Sequence, residues 1–223
     1  MLSHVYTYEN PLVQKHLDAA IEVLDNQGVL CLPSSSGWIF GCDSAHSKAA
    51  TRLRELKPEH PKTQPFSLLC ADFGMASQYA HIDNASYRLM KKLSNGWYTF
   101  FLPATLDSPK KLKDKRKRVG VRIPQQPLLC GLTRQFARPI AITSFPAVFE
   151  GEVFGYQIAE VYAHRLTMIL DLGEPIRTQE TTIVDLTGSQ PCVLRLGTQA
   201  ELSSLKEQGL EWHVDEGDHW SHD

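Results

Sequence analysis

Helical periodicity and short apolar runs alternate along most of this chain, and that alternation limits the possible folds more than any other feature. Leu12, Val13, Leu17, Ala20, Ile21 and Leu24 recur at helical spacing. Asn10-Pro11 stands before them and reads as an N-cap followed by Pro at the first helical position. Gly28 then closes the helix at the C′ position. Residues 29–32 follow, apolar and bounded by Gly and Pro, as a buried strand. The same reading gives helices near 47–56, 83–93, 127–136, 156–165 and 200–207. It gives strands near 66–70, 97–102, 118–123, 140–143, 168–172, 182–186 and 193–196. Such alternation predicts α/β layers. The last strands follow one another with no helix between them, so a mixed, open, twisted sheet with flanking helices is expected. No repeat or long linker interrupts the pattern. Residues 6–197 are expected to form one domain, and residues 198–223 a helix and an acidic tail.

Composition supports a sizeable core: 42% of the 223 residues are hydrophobic. No apolar run approaches the roughly 18 residues that a bilayer requires. The N-terminus shows no basic segment followed by an apolar one, so a cytoplasmic protein without membrane contact is expected. Cys31, Cys42, Cys70, Cys130 and Cys192 show no metal-finger spacing and read as reduced thiols. Trp97, Tyr98, Phe100 and Phe101 read as a core strand, with a base-stacking platform as the alternative. His213, His219 and His222 match no standard metal site, and no metal site is expected.

Charge is distributed unevenly. The chain is net −2, yet eight of its 23 Lys and Arg residues fall within residues 110–122. Lys110, Lys111, Lys113, Lys115, Arg116, Lys117 and Arg118 surround a single acid, Asp114, and run into a strand carrying Arg122. This reads as a basic rim beside a pocket, suited to nucleotide phosphates or an RNA backbone. A plain solvated loop is the alternative. The tail beyond Leu210 has the opposite charge: Glu211, Asp215, Glu216, Asp218 and Asp223, with no Lys or Arg. It is expected to be disordered or loosely docked.

Ser34, Ser35 and Ser36 place three hydroxyls where a buried strand reaches the surface. Hydroxyls at a strand's carboxyl end can bind a small polar ligand. A Ser/Gly turn without function explains them equally.

Taken in order, GVLCLPSSSGWIFGCDS, PFSLLC, WYTFFLPA, KRVGVRIPQQP, PIAITS and TTIVDLTGSQPCVLRLG resemble the YrdC-domain family, and within it the YciO-like branch. The resemblance covers about residues 6–197. It implies the YrdC/RibB-like α/β fold, with a positively charged concave face attributed to binding tRNA or double-stranded RNA. The family's synthases join threonine, bicarbonate and ATP into threonylcarbamoyl-AMP, which then modifies an adenosine of certain tRNAs. The resemblance therefore implies ATP with Mg²⁺ as a ligand.

Residue by residue, the resemblance assigns Lys57, Ser144 and Arg195 to the nucleotide. It assigns Ser34, Ser36, Arg122, Thr181 and Thr182 to the amino acid, with Arg122 holding its carboxylate. Two positions depart from the family pattern. Glu59 replaces an arginine, and Pro146 replaces an asparagine. A carboxylate repels phosphate, and proline offers no side-chain amide. The sequence thus supports a nucleotide- and RNA-binding protein with an altered site. An active synthase is the alternative. Structural readings also stand: Lys57 could complement a helix C-terminus, Arg195 could be a surface residue, and Ser144 could end a strand. No catalytic residue is assigned.

Overall fold

The computed structural model describes residues 2–58, 65–110, 112–145 and 151–212. Glu59, Lys111, Pro146 and the tail from residue 213 onward, with its histidines, lie outside the described residues. Along the chain the elements are β1 (Ser3–Tyr6), α1 (Gln14–Asp25), β2 (Leu30–Ser34), β3 (Gly37–Asp43), α2 (Ser47–Leu56), β4 (Ser67–Leu69) and α3 (Phe73–Tyr79). Next come α4 (Asn84–Leu93), β5 (Tyr98–Pro103), β6 (Arg118–Arg122), α5 (Pro127–Phe136), β7 (Ile140–Ser144), β8 (Glu152–Val153) and α6 (Gly155–Tyr162). The rest are β9 (Met168–Asp171), β10 (Ile176–Arg177), β11 (Thr182–Asp185), β12 (Cys192–Arg195), α7 (Leu202–Glu207) and β13 (Glu211–Trp212).

Eleven strands form one mixed sheet in the order β1-β9-β2-β3-β7-β4-β6-β5-β11-β12-β13. β1 and β13 extend it beyond residues 6–197 at both margins. Side chains alternate across the sheet. Leu30 and Leu32 of β2 pack with Leu17, Leu24, Leu128, Leu132 and Phe136 of α1 and α5. Cys31, between them, faces the second core with Phe40, Leu53, Ile158 and Tyr162. Helices on both faces explain why β2 and β3 are buried along their whole length.

The expected elements are present, with three corrections. α1 starts at Gln14, not Pro11, because residues 9–12 form a turn closed by the Glu9–Leu12 bridge. The amides of His16 and Leu17 then bond to the Val13 carbonyl. At its other end Gln27, with φ 61°, takes the left-handed position expected of Gly28. The Gln27 and Gly28 amides close a Schellman motif onto the Leu24 and Val23 carbonyls. Most consequential, residues 37–43 are a buried strand, which the sequence pattern assigns to no element.

The sheet is strongly coiled. Arg122 pairs with Leu69, Leu69 with Ile140, and Ile140 with Asp43. Arg122 is therefore level with the far end of β3 from Gly37. Yet its guanidinium bonds Ser36, next to Gly37, at 2.9 Å. A flat sheet could not close that bond; accumulated strand twist does.

Candidate functional site

β2 and β3 form a hairpin with Ser34 opposite Gly37, leaving Ser35 and Ser36 as its two-residue loop. Gly37 has φ 117°, a conformation that a residue with a Cβ rarely adopts. The Ser34 hydroxyl donates to the Gly37 carbonyl at 2.6 Å and lies 3.3 Å from the Ser36 hydroxyl. Ser36 Oγ in turn accepts from Arg122 Nη2 at 2.9 Å. Arg122 Nε and Nη2 also donate to the Gly96 carbonyl, at 3.1 and 2.8 Å. Gly96, with φ 85°, allows the chain to turn so that its carbonyl faces the guanidinium.

Arg122 is buried and makes no ion pair with a carboxylate among the described residues. Burial, and then the charge of Arg195, bring its pKa down to about 10. At neutral pH it remains a cation. Arg195 Nε donates to the Thr181 carbonyl and Nη2 to the Thr181 hydroxyl, both at 3.0 Å. Its nearest carboxylate is Glu180, 3.9 Å away. Burial lowers the Arg195 pKa and Glu180 opposes that shift. Two weakly compensated guanidiniums thus stand near one another at one end of the sheet.

The structure brings Ser34, Ser36, Arg122, Thr181 and Arg195 into this cluster. Thr182 is adjacent, but its hydroxyl accepts the Gly197 amide at 3.0 Å and its amide bonds the Trp97 carbonyl. Lys57 and Ser144 form a second contact: Lys57 Nζ donates to Ser144 Oγ at 2.5 Å. Ser144 sits opposite Ile39 on β3, two residues from Gly37, or about 7 Å along the strand. Sequence reasoning did not find Gly96, or the segment whose Gln179 amide bonds the Ser36 carbonyl at 2.9 Å. Neither carries a local signal, since both meet the hairpin through distant pairings.

The basic segment is not a rim beside this cluster. Arg122 and Arg118 lie at opposite ends of β6, about 13 Å apart. Arg118 is corrected from an exposed cation to a buried one, 6% exposed. Its Nε and Nη1 bond Asp114 and Asp185, each at 2.6 Å, and it stacks over Phe101. Burial opposes its charge, yet the two carboxylates hold its pKa above the ordinary value. Lys113 Nζ is held by the Thr105 carbonyl at 2.7 Å, and Leu112 anchors the segment in the core. Lys110, Lys115, Arg116 and Lys117 are exposed.

The aromatic strand is core as expected: Tyr98, Phe100 and Phe101 are buried and Trp97 half-buried. Burial pushes the Cys42 and Cys70 thiols up to about 12, and Cys31 well above its ordinary value, so these three are not poised as thiolates. A separate cavity of about 510 Å³, lined by Val29, Arg52, Glu55, Leu56 and residues 164–167, holds none of the expected site residues. Among the described residues no helix is long and apolar enough to cross a membrane. No group of three or more His, Cys, Asp or Glu among them could hold a metal ion.

Comparison with known proteins agrees with this architecture. The Sua5/YciO/YrdC family model, described as "Telomere recombination", matches residues 22–197. YciO of Escherichia coli K12, an uncharacterised protein, is 31% identical over 201 residues, covering 88% of this chain and 96% of its own. The crystal structure of E. coli YciO superposes with a TM-score of 0.80 at 28% identity, over 89% of this chain and 96% of that one. Threonylcarbamoyl-AMP synthase of an Enterobacter species is 29% identical over 56% of this chain and 67% of its own. Sua5 of P. abyssi, crystallised with L-threonine, shares the fold: TM-score 0.81, 23% identity, 96% of this chain and 62% of that one. The chain belongs to the Sua5/YciO/YrdC family, and is thereby related to the threonylcarbamoyl-AMP synthases.

Proposed function

We propose that this chain is a nucleotide- and RNA-binding protein linked to tRNA modification, with an active site altered from that of the synthases. The observation that carries the reading is the buried Arg122 guanidinium, held on the Ser36 hydroxyl and the Gly96 carbonyl with the Arg195 charge acting on it. Two like charges near one another in a poorly solvated place raise the energy of the empty site. An anion between them relieves it, through charge-assisted hydrogen bonds.

Arg122 Nη1 makes no hydrogen bond among the described residues and is available to a carboxylate or phosphate oxygen. The Ser34 and Ser36 hydroxyls line the same turn and suit a small polar ligand such as threonine, the ligand crystallised with P. abyssi Sua5. Lys57 with Ser144, and Arg195, are suited to the phosphates of ATP. Mg²⁺ carried with ATP would neutralise phosphate charge beside these cations. RNA would meet Lys110, Lys115, Arg116 and Lys117 at the other end of β6, where they present charge to solvent.

The Lys57–Ser144 contact favours a second reading, a working threonylcarbamoyl-AMP synthase, because it retains one nucleotide-side cation. Glu59 and Pro146 count against it. Calorimetry tests the first reading. MgATP should bind with a dissociation constant on the order of the high-micromolar range, and Arg195→Ala should weaken it about tenfold or more. Equal binding by the variant would remove Arg195 from the phosphate site.

A further inference from the structure

The cavity of about 510 Å³ begins where β2 begins, at Val29, whereas the serine turn follows the strand's other end. The five residues of β2, about 17 Å, separate the two. The cavity floor is closed: Val29, Leu56 and Leu166 are 1%, 2% and 5% exposed. Four ionisable side chains line the opening, Arg52 and Glu55 from α2, and His164 and Arg165 from the turn between α6 and β9. That turn is fixed in place. The Arg165 and Leu166 amides bond the Tyr162 carbonyl at 2.9 and 3.1 Å, and the Thr167 amide bonds the Val29 carbonyl at 2.9 Å. Arg52 Nη1 donates to the Gln27 carbonyl at 3.1 Å, which ties its guanidinium to the chain just beyond α1.

Two signs of charge share this cavity without pairing. Arg52 and Glu55 are one turn apart on α2, yet neither they nor Arg165 makes an ion pair among the described residues. The Glu55, His164 and Arg165 side chains make no hydrogen bond among them either. A helix C-terminus attracts cations, which accounts for His164 and Arg165 beyond α6. It does not account for Glu55, a carboxylate in the last turn of α2, where the helix dipole opposes it. We propose that this cavity binds a small phosphomonoester that also carries hydroxyls, of the sugar-phosphate class. Arg52 and Arg165 take the phosphate through charge-assisted hydrogen bonds. Glu55 accepts from a hydroxyl, and His164 completes the polar rim. Glu55 also sets specificity: it repels bare phosphate and favours only a ligand that brings a donor. The volume lies within the roughly 300–1,000 Å³ of small-molecule sites. The covered floor offers little contact to an aromatic or acyl ligand. This site is independent of the anion reading at Arg122 and Arg195.

Calorimetry on the full chain with glucose 6-phosphate, inorganic phosphate and glucose tests it. Glucose 6-phosphate should bind about tenfold more tightly than inorganic phosphate, and glucose not measurably. In the native chain glucose 6-phosphate should shift the amide resonances of Val29 and residues 164–167 saturably, a readout that needs no variant. Arg52→Ala and Arg165→Ala, both at exposed positions, should each weaken glucose 6-phosphate about tenfold or more. Glu55→Ala should narrow the preference over inorganic phosphate to under about threefold, with phosphate itself bound as well as before or better. Arg122→Met should leave glucose 6-phosphate binding unchanged. Binding lost in Arg122→Met but intact in Arg165→Ala would assign the anion to the other end of β2 and overturn the proposal. Equal native affinities for glucose 6-phosphate and inorganic phosphate, or no saturable shift at Val29 and residues 164–167, would overturn it too.

Discussion

At the scale of single residues, two arginines on one strand have opposite roles, and their partners decide which. Arg118 is paired with two carboxylates and stacked on Phe101. Removing one member of such a buried group leaves an uncompensated charge, which typically costs about 3–5 kcal/mol. Asp114→Ala should therefore lower stability by about that much in urea titration, with no change in RNA affinity beyond that of a partly unfolded chain. A loss under about 1 kcal/mol would show that water already reaches the pair. Arg122 has two oxygens and, among the described residues, no carboxylate. Its depressed pKa means that folding disfavours its charge. The penalty is fully present below about 10, the folded pKa, and falls away as pH rises from there toward the unfolded value. Arg122→Met should remove that penalty while keeping bulk. The variant should lose less than about 1 kcal/mol of stability, or gain some, and lose anion binding entirely. A large loss of stability with binding intact would make Arg122 a structural residue.

At the scale of elements, the turn of residues 114–117 is the unit that presents charge. Its backbone is closed by the Lys117 amide on the Asp114 carbonyl, and the Asp114 carboxylate accepts the Arg118 amide. The acid amid the bases thus shapes the turn. Changing Lys115, Arg116 and Lys117 to Ser should leave the turn closed and reduce the salt dependence of RNA binding by about 0.9 per lost phosphate contact. An unchanged slope would remove the turn from any RNA surface. Periodicity made α2, α4 and α5 legible, and α4 is capped by the Asp83 carboxylate, which accepts the Ser86 amide. β3 was not legible, because Gly37 and Gly41 and the serines before them mimic a loop. Gly41 is there because a Cβ would meet Ile140 at 3.0 Å, a packing reason that local sequence does not carry. The site was legible in part. Arg122, Arg195 and the serines could be named from the resemblance, whereas the Gly96 carbonyl and the Gln179 strap depend on strand order.

At the scale of the whole molecule, the coil of the sheet makes the site, since it brings the β2–β3 turn onto the far end of β6. On the proposed reading a reaction there would draw on positioned charge, from the two guanidiniums and the serine hydroxyls, with Lys57 on Ser144 as a second contact. Nucleotidyl transfer depends mainly on such positioning and charge neutralisation. Each missing charged or amide contact to a developing charge typically lowers the rate about 10²–10³-fold. On the proposed altered-site reading Glu59 and Pro146 are two such departures, and their effects need not add. The native chain should therefore release pyrophosphate from ATP, threonine and bicarbonate far more slowly than a relative with the arginine and asparagine. Glu59→Arg combined with Pro146→Asn should raise that rate. A native rate already typical of the synthases would overturn the altered-site reading in favour of the second. A double variant no faster than the native chain would show that the obstacle lies in the Arg122–Ser36–Gly96 arrangement itself, where the guanidinium is already partly committed.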